Sequence, residues 1–215
     1  MFNIYPDINL AIHYAKKWHA FQAQRILFIN SSVSQADGVA KEWMKDRSVY
    51  ICDIYNPYIS PYDDEARERV NSKVTVGPSD NNDSYLSKVN HAVNMAISSF
   101  LPTLVIYNAG YDCISGDTKG YMNISESVVI LRDEIIFRAC YQMNEVPILM
   151  TVGGCYQQKQ ETMISRSIRN LIVQFDLSDK ILGIQAAQDN ELEHKVGKKA
   201  VGRFNIGGVG TQPGS

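Results

Sequence analysis

The segment from Thr103 to Ile124 constrains the fold of this chain more than any other stretch. An apolar, largely β-branched run, Thr103 to Tyr107, ends at Asn108-Ala109-Gly110 and leads into a glycine-rich loop that carries Asp112. Successive apolar positions are typical of an interior strand in a parallel sheet that helices cover on both faces. Ligands of such sheets bind beyond the carboxyl ends of the strands, so Asp112 is a candidate site residue.

Strand-like and helix-like patterns alternate along the chain on either side of this segment. Strands are predicted at 25–30, 48–54, 103–107 and 147–152, with a brief one at 74–76. Helices are predicted at 7–20, 39–44, 63–70, 85–100, from 125 through 137, and at 160–173. Helices between consecutive strands favour parallel pairing, so we predict an α/β fold with a doubly wound, mainly parallel sheet. The strand at 147–152 is predicted to be interior.

Composition narrows the class of protein. With 215 residues, of which 45% are hydrophobic and 20% are charged, the chain suits one globular domain with a sizeable core. The net charge of -2 gives no general signal for nucleic acid binding, and the apolar runs are too short to span a membrane. Four isolated cysteines indicate reduced thiols, and the N-terminus lacks a secretion signal. We therefore expect an intracellular protein of the cytoplasm or mitochondrion that is not secreted.

The last thirty residues differ from the rest in composition. Residues 186–215 contain few large apolar side chains, several glycines and a basic cluster. A flexible tail and an extended arm that binds a partner both agree with this composition. We predict the arm, with residues 1–185 as the α/β domain. The partner-binding residues of the arm are expected to be Lys198, Lys199, Arg203 and Phe204. The three cations would face acidic groups or phosphates of the partner, and Phe204 would anchor in a groove.

Several motifs in a fixed order resemble one family. They are Tyr107-Asn-Ala-Gly-Tyr-Asp112, the loop with Gly116-Asp117 and Gly120, Arg132-Asp-Glu-Ile, Val146-Pro-Ile-Leu-Met150 and Gly153-Gly154-Cys155-Tyr156-Gln157. Together they resemble the C-terminal half of a histone deacetylase, most like the class IV group. The resemblance covers about residues 5–175 and implies the arginase/deacetylase fold without the N-terminal part of that fold.

The resemblance implies a zinc-dependent hydrolase that removes acyl groups from lysine. In that family an Asp-x-Asp-x-His motif supplies an Asp and a His ligand, and the Asp after Asn-Ala-Gly-x supplies the third. The zinc polarises water and the scissile carbonyl, a pair of histidines transfers protons, and a tyrosine stabilises the oxyanion. Carried over to this sequence, Asp112 matches the last zinc ligand and Tyr156 matches the tyrosine.

The other ligand positions depart from the family pattern. Asn30 stands at the first Asp of the Asp-x-Asp-x-His motif, Ser32 at the ligand Asp and Ser34 at the ligand His. Serine hydroxyls are poor zinc ligands, and one carboxylate cannot retain the metal, so we predict that zinc is lost and that no cofactor is bound. The histidine pair would precede the helix that begins at Asp7 and is not found there. Cys155 also replaces a glycine beside Tyr156.

Three functions from different classes remain open at this point. The first, which we predict, is a catalytically inactive deacetylase-like protein that serves as a structural or scaffolding subunit. The second is half of a split zinc-dependent lysine deacylase that another polypeptide completes. The third is a non-catalytic acyl-lysine or small-molecule binding module whose pocket Tyr111, Tyr121 and Tyr156 line. The partners are expected to be other protein subunits, because a partial sheet exposes a strand edge and an apolar face. Asp112 is expected to be held by hydrogen-bond donors from the surrounding loops.

Overall fold

The computed structural model describes residues 6–17, 23–143, 145–157 and 160–178. Helices and strands alternate through most of these ranges, as the sequence predicts. The elements are α1 (Asp7–Lys17), β1 (Ile26–Asn30), α2 (Asp37–Glu42), β2 (Val49–Tyr55), α3 (Asp64–Arg69), β3 (Ser72–Thr75), α4 (Asn82–Phe100), β4 (Leu104–Gly110), α5 (Glu126–Gln142), β5 (Ile148–Gly153) and α6 (Gln160–Gln174).

The described strands form one parallel sheet in the order β3-β2-β1-β4-β5. The chain therefore builds outward from β1 to β3 and then crosses to the other side of β1 to add β4 and β5. This reversal between β1 and β4 is the position at which parallel α/β sheets form binding crevices, beyond the carboxyl ends of the strands. The predicted fold class is confirmed: a parallel sheet flanked by helices.

Hydrophobic side chains cover both faces of the sheet. On one face, Leu27 and Ile29 of β1 belong to a buried cluster with side chains of α4 and α5. On the other face, Ile26 and Phe28 pack with α1, α2 and Trp43. Every residue of β1 is buried, since the strand lies at the centre of the sheet with helices on both sides. This centre holds the strand ends that form the candidate site.

Two strands differ from their predicted boundaries or positions. β4 continues to Gly110, three residues beyond the predicted end, because the backbone of Asn108 still bonds to its neighbour: Ser31 N donates to Asn108 O at 3.1 Å. Among the strands that the structure describes, β5 lies at an edge of the sheet, whereas the sequence predicts an interior strand. Its composition indicates burial on both faces, but composition does not report whether a neighbouring strand is present.

The start of α4 also differs from the prediction. The helix begins at Asn82, three residues before the predicted Tyr85, because Asn81 is its N-cap. The Asn81 side chain accepts a hydrogen bond from Ser84 N at 2.9 Å, and Asn81 N donates to Ser84 Oγ at 3.0 Å. This reciprocal capping box satisfies two backbone N–H donors at the start of the helix and fixes where it begins.

Contacts along the chain separate a unit that ends at Leu171 from one that begins at Ile172, within α6. The predicted arm at 186–215, with Lys198, Lys199, Arg203 and Phe204, lies outside the described residues. So does the predicted end of the first helix. Among the described helices, none has both the length and the apolar character needed to cross a membrane.

Candidate functional site

The carboxyl ends of β1 and β4 bring Asp112 beside Ser32. The two strands are paired in register up to Asn30 and Asn108, so the residues that follow them leave the sheet side by side. Gly110 allows this close approach, because a Cβ atom on Gly110 would overlap the backbone of Ser32. The structure thus brings together two of the positions at which the resemblance implies zinc ligands.

Both carboxylate oxygens of Asp112 accept a hydrogen bond. Ser32 Oγ donates to Oδ2 at 2.8 Å, and Val33 N donates to Oδ1 at 3.0 Å. The side chain is buried, with 1% of its residue surface exposed. Burial raises the pKa of Asp112, while these two hydrogen bonds favour the ionised form and act in the opposite direction. The expectation that donors of the adjoining loops hold Asp112 is confirmed.

Two glycines enclose Asp112 from the other side. Gly154, with a φ of +53°, lies so close that a Cβ atom there would overlap the Asp112 carboxylate. A Cβ atom on Gly120 would overlap the carbonyl oxygen of Asp112. A side chain at either position would displace Asp112, so the loops after β4 and β5 can close over it only with glycine there.

Asp117 joins the loops after β4 and β5. Its Oδ1 accepts hydrogen bonds from Lys119 N at 2.8 Å and Gly120 N at 2.9 Å, and its Oδ2 accepts one from Tyr156 N at 2.8 Å. The Tyr156 backbone is therefore fixed, whereas 41% of the residue surface remains exposed. Partial burial raises the pKa of Tyr156, and the acidic groups of Asp112 and Asp117 add to the effect. Burial likewise raises the pKa of the neighbouring Cys155 thiol.

The tyrosines proposed to line a pocket do not share one surface. Tyr111 is fully buried and donates its hydroxyl to Asp133 Oδ2 at 2.9 Å, which corrects its assignment to a pocket. Tyr121 is 67% exposed on the loop after β4. Tyr111 is turned into the core because a buried carboxylate accepts its hydroxyl, and the sequence offered no sign of that partner.

A row of buried and partly buried polar side chains crosses four strands next to the site. Asn30 Nδ2 donates to Asp53 Oδ1 at 2.7 Å, Asn108 Nδ2 donates to Asn30 Oδ1 at 2.8 Å, and Thr151 Oγ1 donates to Asn108 Oδ1 at 3.2 Å. These residues occupy matched positions of β2, β1, β4 and β5. We name this set the polar row. Sequence reasoning missed it, although each of three buried strands carries a polar residue near its carboxyl end.

Asp53 is the acidic end of the polar row. Its Oδ2 accepts a hydrogen bond from Ala36 N at 2.9 Å, and the side chain is completely buried. Burial raises its pKa from 3.8 to about 7, and the hydrogen bonds from Asn30 and Ala36 offset part of that effect. Asn30 Nδ2 also donates to the carbonyl oxygen of Ser34 at 3.0 Å. The polar row therefore fixes the loop that carries the serine ligand positions.

A second buried polar group, Arg132 and Asp133 of α5, contacts the end of β4. Asp133 accepts hydrogen bonds from Tyr107 at 2.6 Å, from Ser167 at 2.6 Å and from Arg132 Nη2 at 2.7 Å, in addition to that from Tyr111. Arg132 Nη1 donates to the carbonyl oxygen of Gly110 at 2.6 Å. Both charged side chains are fully buried. The Arg132-Asp-Glu-Ile motif thus holds the strand end beside Asp112 in place.

The donors at this position do not fit a zinc ion. Zinc in proteins is bound by cysteine thiolate, histidine nitrogen or carboxylate oxygen, and here one carboxylate faces a serine hydroxyl that already donates to it. Within the ranges that the structure describes, no cluster of three or more His, Cys, Asp or Glu side chains is placed to hold a metal ion. The Asp112 carboxylate and the Ser32 hydroxyl can therefore accept and donate hydrogen bonds where β1 and β4 end.

Comparison with known proteins identifies the family. Residues 2–172 match the family model of the histone deacetylase domain. The chain is also 37% identical over 170 residues to Histone deacetylase 2 of Arabidopsis thaliana, which covers 79% of this chain and 43% of that protein. This chain belongs to the histone deacetylase family. The resemblance inferred from the motifs is thereby confirmed at the level of the family.

Solved structures agree with the deacetylase fold. The structure of the histone deacetylase Clr3 matches with a TM-score of 0.64 and 11% identity, over 79% of this chain and 30% of that one. A crystal structure of an HDAC homologue complexed with SAHA matches with a TM-score of 0.59 and 18% identity, over 69% of this chain and 41% of that one. This deacetylase-family chain spans less than half the length of the relatives that it matches.

Proposed function

We propose that this chain is a catalytically inactive histone-deacetylase-like protein that acts as a structural subunit of a larger protein assembly. The hydrogen bond from Ser32 Oγ to Asp112 Oδ2 carries the proposal. It joins two positions at which the family resemblance implies two carboxylate ligands of one zinc ion. A hydroxyl that donates to the remaining carboxylate stabilises that carboxylate without a metal.

Without zinc, the chain lacks the two effects on which the family chemistry depends. Zinc lowers the pKa of bound water and polarises the scissile carbonyl, and no described side chain at the site replaces either effect. Tyr156, with its partly exposed side chain, retains only the capacity to donate one hydrogen bond. Such a donor stabilises an oxyanion but does not generate a nucleophile. The remnants of the site, Asp112 and Tyr156, therefore do not support hydrolysis.

Metal content and hydrolysis test the inactive state together. We expect the purified protein to contain no stoichiometric zinc by elemental analysis and to leave acetyl-lysine peptides intact. The variant Ser32→Asp/Ser34→His restores the ligand types at both positions and is expected to gain zinc binding. About one zinc per wild-type chain, with peptide hydrolysis that a chelator abolishes, would refute the proposal. Hydrolysis only after another chain is added would favour a split deacylase.

The structural role is tested through the C-terminal segment. We propose that Lys198, Lys199, Arg203 and Phe204 bind a partner subunit, because cations and an aromatic anchor are spaced along a segment with few other large apolar residues. Deletion of residues 186–215 is expected to preserve the helical content measured by circular dichroism and to reduce copurification of native partners. A shortened chain that recovers the same partners in the same yield would show that this segment is not needed for assembly.

A further inference from the structure

A cavity lies at the end of the sheet opposite to Asp112, beside the amino ends of β4 and β5. Its volume is about 340 Å³, which falls within the range of roughly 300–1,000 Å³ that is typical of small-molecule pockets. The residues that line it come from α4 and from the loops before β4 and β5: Ile97, residues 101–103, Met143, Val146 and Pro147. Apart from Thr103 these side chains are apolar, so the cavity suits the hydrocarbon part of a ligand.

Backbone hydrogen bonds fix the two loops that form the cavity. In the loop before β4, Leu101 N donates to Ile97 O at 2.9 Å, and in the loop before β5, Val146 N donates to Cys140 O at 3.1 Å. Ile97 is buried, whereas Leu101 is 57% exposed, so the cavity extends from a buried wall to an open mouth. The cavity is therefore formed before a ligand binds, which lowers the entropic cost of binding.

Two helices end at this cavity, and their carbonyl groups give it a negative potential. The C-caps of α4 and α5 are the lining residues Leu101 and Met143. The carboxyl end of a helix carries about half a negative charge, which favours a cation nearby. Neither α4 nor α5, both of which the structure describes in full, has a basic residue in its last turn. Pro102 and Pro147 add to this polarity, because a proline backbone has a carbonyl oxygen but no N–H.

Charged side chains next to the cavity agree with this polarity. Arg25 Nη2 donates to the carbonyl oxygen of Phe100, the last residue of α4, and the guanidinium lies 4.7 Å from the centre of the Phe100 ring. The carboxyl end of α4 thus already attracts a cation. Glu145 is exposed and adjoins the lining residue Val146, so it adds negative charge beside the end of α5. The end of α5 therefore combines helix carbonyl groups and a carboxylate with an apolar wall.

We propose that this cavity binds a small amine that consists of an apolar body and one ammonium group. The apolar body packs against Ile97, Leu101 and Val146, and the ammonium group donates to carbonyl oxygens at the ends of α4 and α5. A carboxylate of the same size meets the same apolar walls but is repelled by these carbonyl groups, and an alcohol lacks the charge. The amine site is separate from Asp112 and does not depend on the proposed function.

Isothermal titration of the full chain with three matched probes tests this site. Phenethylamine, phenethyl alcohol and hydrocinnamate share one apolar body and carry a positive, a neutral and a negative group at pH 7. The amine is expected to bind about tenfold more tightly than the alcohol, and the carboxylate more weakly than either. Val146→Phe fills the cavity and is expected to weaken amine binding at least tenfold. Val152→Phe, the same change at the other end of β5, is the matched control and is expected to bind as the wild type does.

A second variant covers the case in which Val146→Phe does not fold. Glu145→Lys reverses the charge of an exposed side chain and is expected to weaken amine binding about threefold while the affinity for the alcohol stays unchanged. Glu68→Lys, the same change at an exposed position of α3, is its control. No saturable binding of the amine, equal affinities for the three probes, binding that neither cavity variant changes, or a wild-type homodimer that Val146→Phe dissociates would each overturn the proposed site.

Discussion

Replacement of Asn30 by aspartate tests the hydrogen bonds that hold the candidate site together. Asn30 Nδ2 donates to Asp53 Oδ1 at 2.7 Å and to the carbonyl oxygens of Ser34 at 3.0 Å and Ser32 at 3.3 Å. Asn30→Asp puts an oxygen in place of this amide donor without changing the size of the side chain. A second carboxyl group then faces Asp53 in a site closed to water.

The magnitude follows from the bonds that are lost. A hydrogen bond to a charged group contributes about 1.5–3 kcal/mol, and a buried acceptor left without its donor costs about 1–3 kcal/mol. We therefore expect Asn30→Asp to lower the free energy of unfolding by about 4 kcal/mol at pH 8. Two adjacent carboxyl groups retain a proton in the folded state, and a protonated Asp at 30 donates to Asp53. The loss is expected to shrink to about 2 kcal/mol at pH 5.

Urea unfolding monitored by circular dichroism at pH 5 and pH 8 measures both values. Asn90→Asp is the matched control, because Asn90 is exposed on α4 and the chemical change is identical. It is expected to change the free energy of unfolding by less than about 0.5 kcal/mol. A loss below about 1 kcal/mol for Asn30→Asp at pH 8, or a loss that does not depend on pH, would refute the reasoning.

The pH dependence of the wild type is expected to come in part from Asp53. Its pKa rises from 3.8 in the unfolded chain to about 7 in the fold because it is buried. A raised pKa means that the folded state holds the proton more tightly, so this stability is complete below about pH 4 and is lost as pH rises to 7. The difference between these two pKa values limits the change in the free energy of unfolding to about 4 kcal/mol. Asp53→Asn is expected to flatten this slope in urea titrations between pH 4 and 8, and an unchanged slope would exclude Asp53 as its source.

Three further substitutions test the supports of the site by the same urea assay. Asp133→Asn leaves the buried guanidinium of Arg132 without a charged partner and is expected to lower the free energy of unfolding by about 3–5 kcal/mol. Glu134→Gln, next in sequence but partly exposed, is the control and should have a small effect. Equal effects of the two variants would contradict the role assigned to Asp133. Gly154→Ala is expected to cost about 2 kcal/mol or more because its Cβ atom meets the Asp112 carboxylate at positive φ, while Gly38→Ala, with open space around it in α2, should be neutral or stabilising. Ser32→Ala is expected to cost about 2 kcal/mol by removing the donor to Asp112, and a neutral result would show that this bond does not hold the carboxylate.

Local sequence signals predicted most of the fold because the strands are short apolar runs bounded by polar or glycine residues. They did not predict the end of β4, since Asn108-Ala109-Gly110 reads as a turn and becomes strand only through pairing with β1 and β5. They also did not show that β5 lies at an edge of the sheet formed by the described strands. The number of neighbours of a strand depends on which other chain segments are present, and no residue of β5 encodes that information.

The motifs predicted which residues meet at the candidate site but not the contacts that support them. The positions of Asp112 and Ser32 followed from the motif, and the structure places them in contact. The polar row was missed because single-residue reasoning treats Asn30 only as a replacement of the first Asp of the Asp-x-Asp-x-His motif. Its amide group in fact donates to Asp53 of β2 and accepts from Asn108 of β4. A signal was available: polar residues at the carboxyl ends of buried parallel strands become neighbours once the register is fixed.

These hydrogen bonds explain how the ends of β1 and β4 keep their arrangement without a set of side chains suited to bind zinc. Asp112 is satisfied by Ser32 and Val33, and the loops that surround it are fixed by Asp117 and by the polar row. Each of these contacts lies within the chain, and the one from Ser32 engages the carboxylate that the family resemblance assigns to zinc. A site that depended on zinc for its geometry would lose its order with the metal. Here the hydrogen bonds preserve the close approach of β1 and β4, as the proposed role of an inactive structural subunit requires.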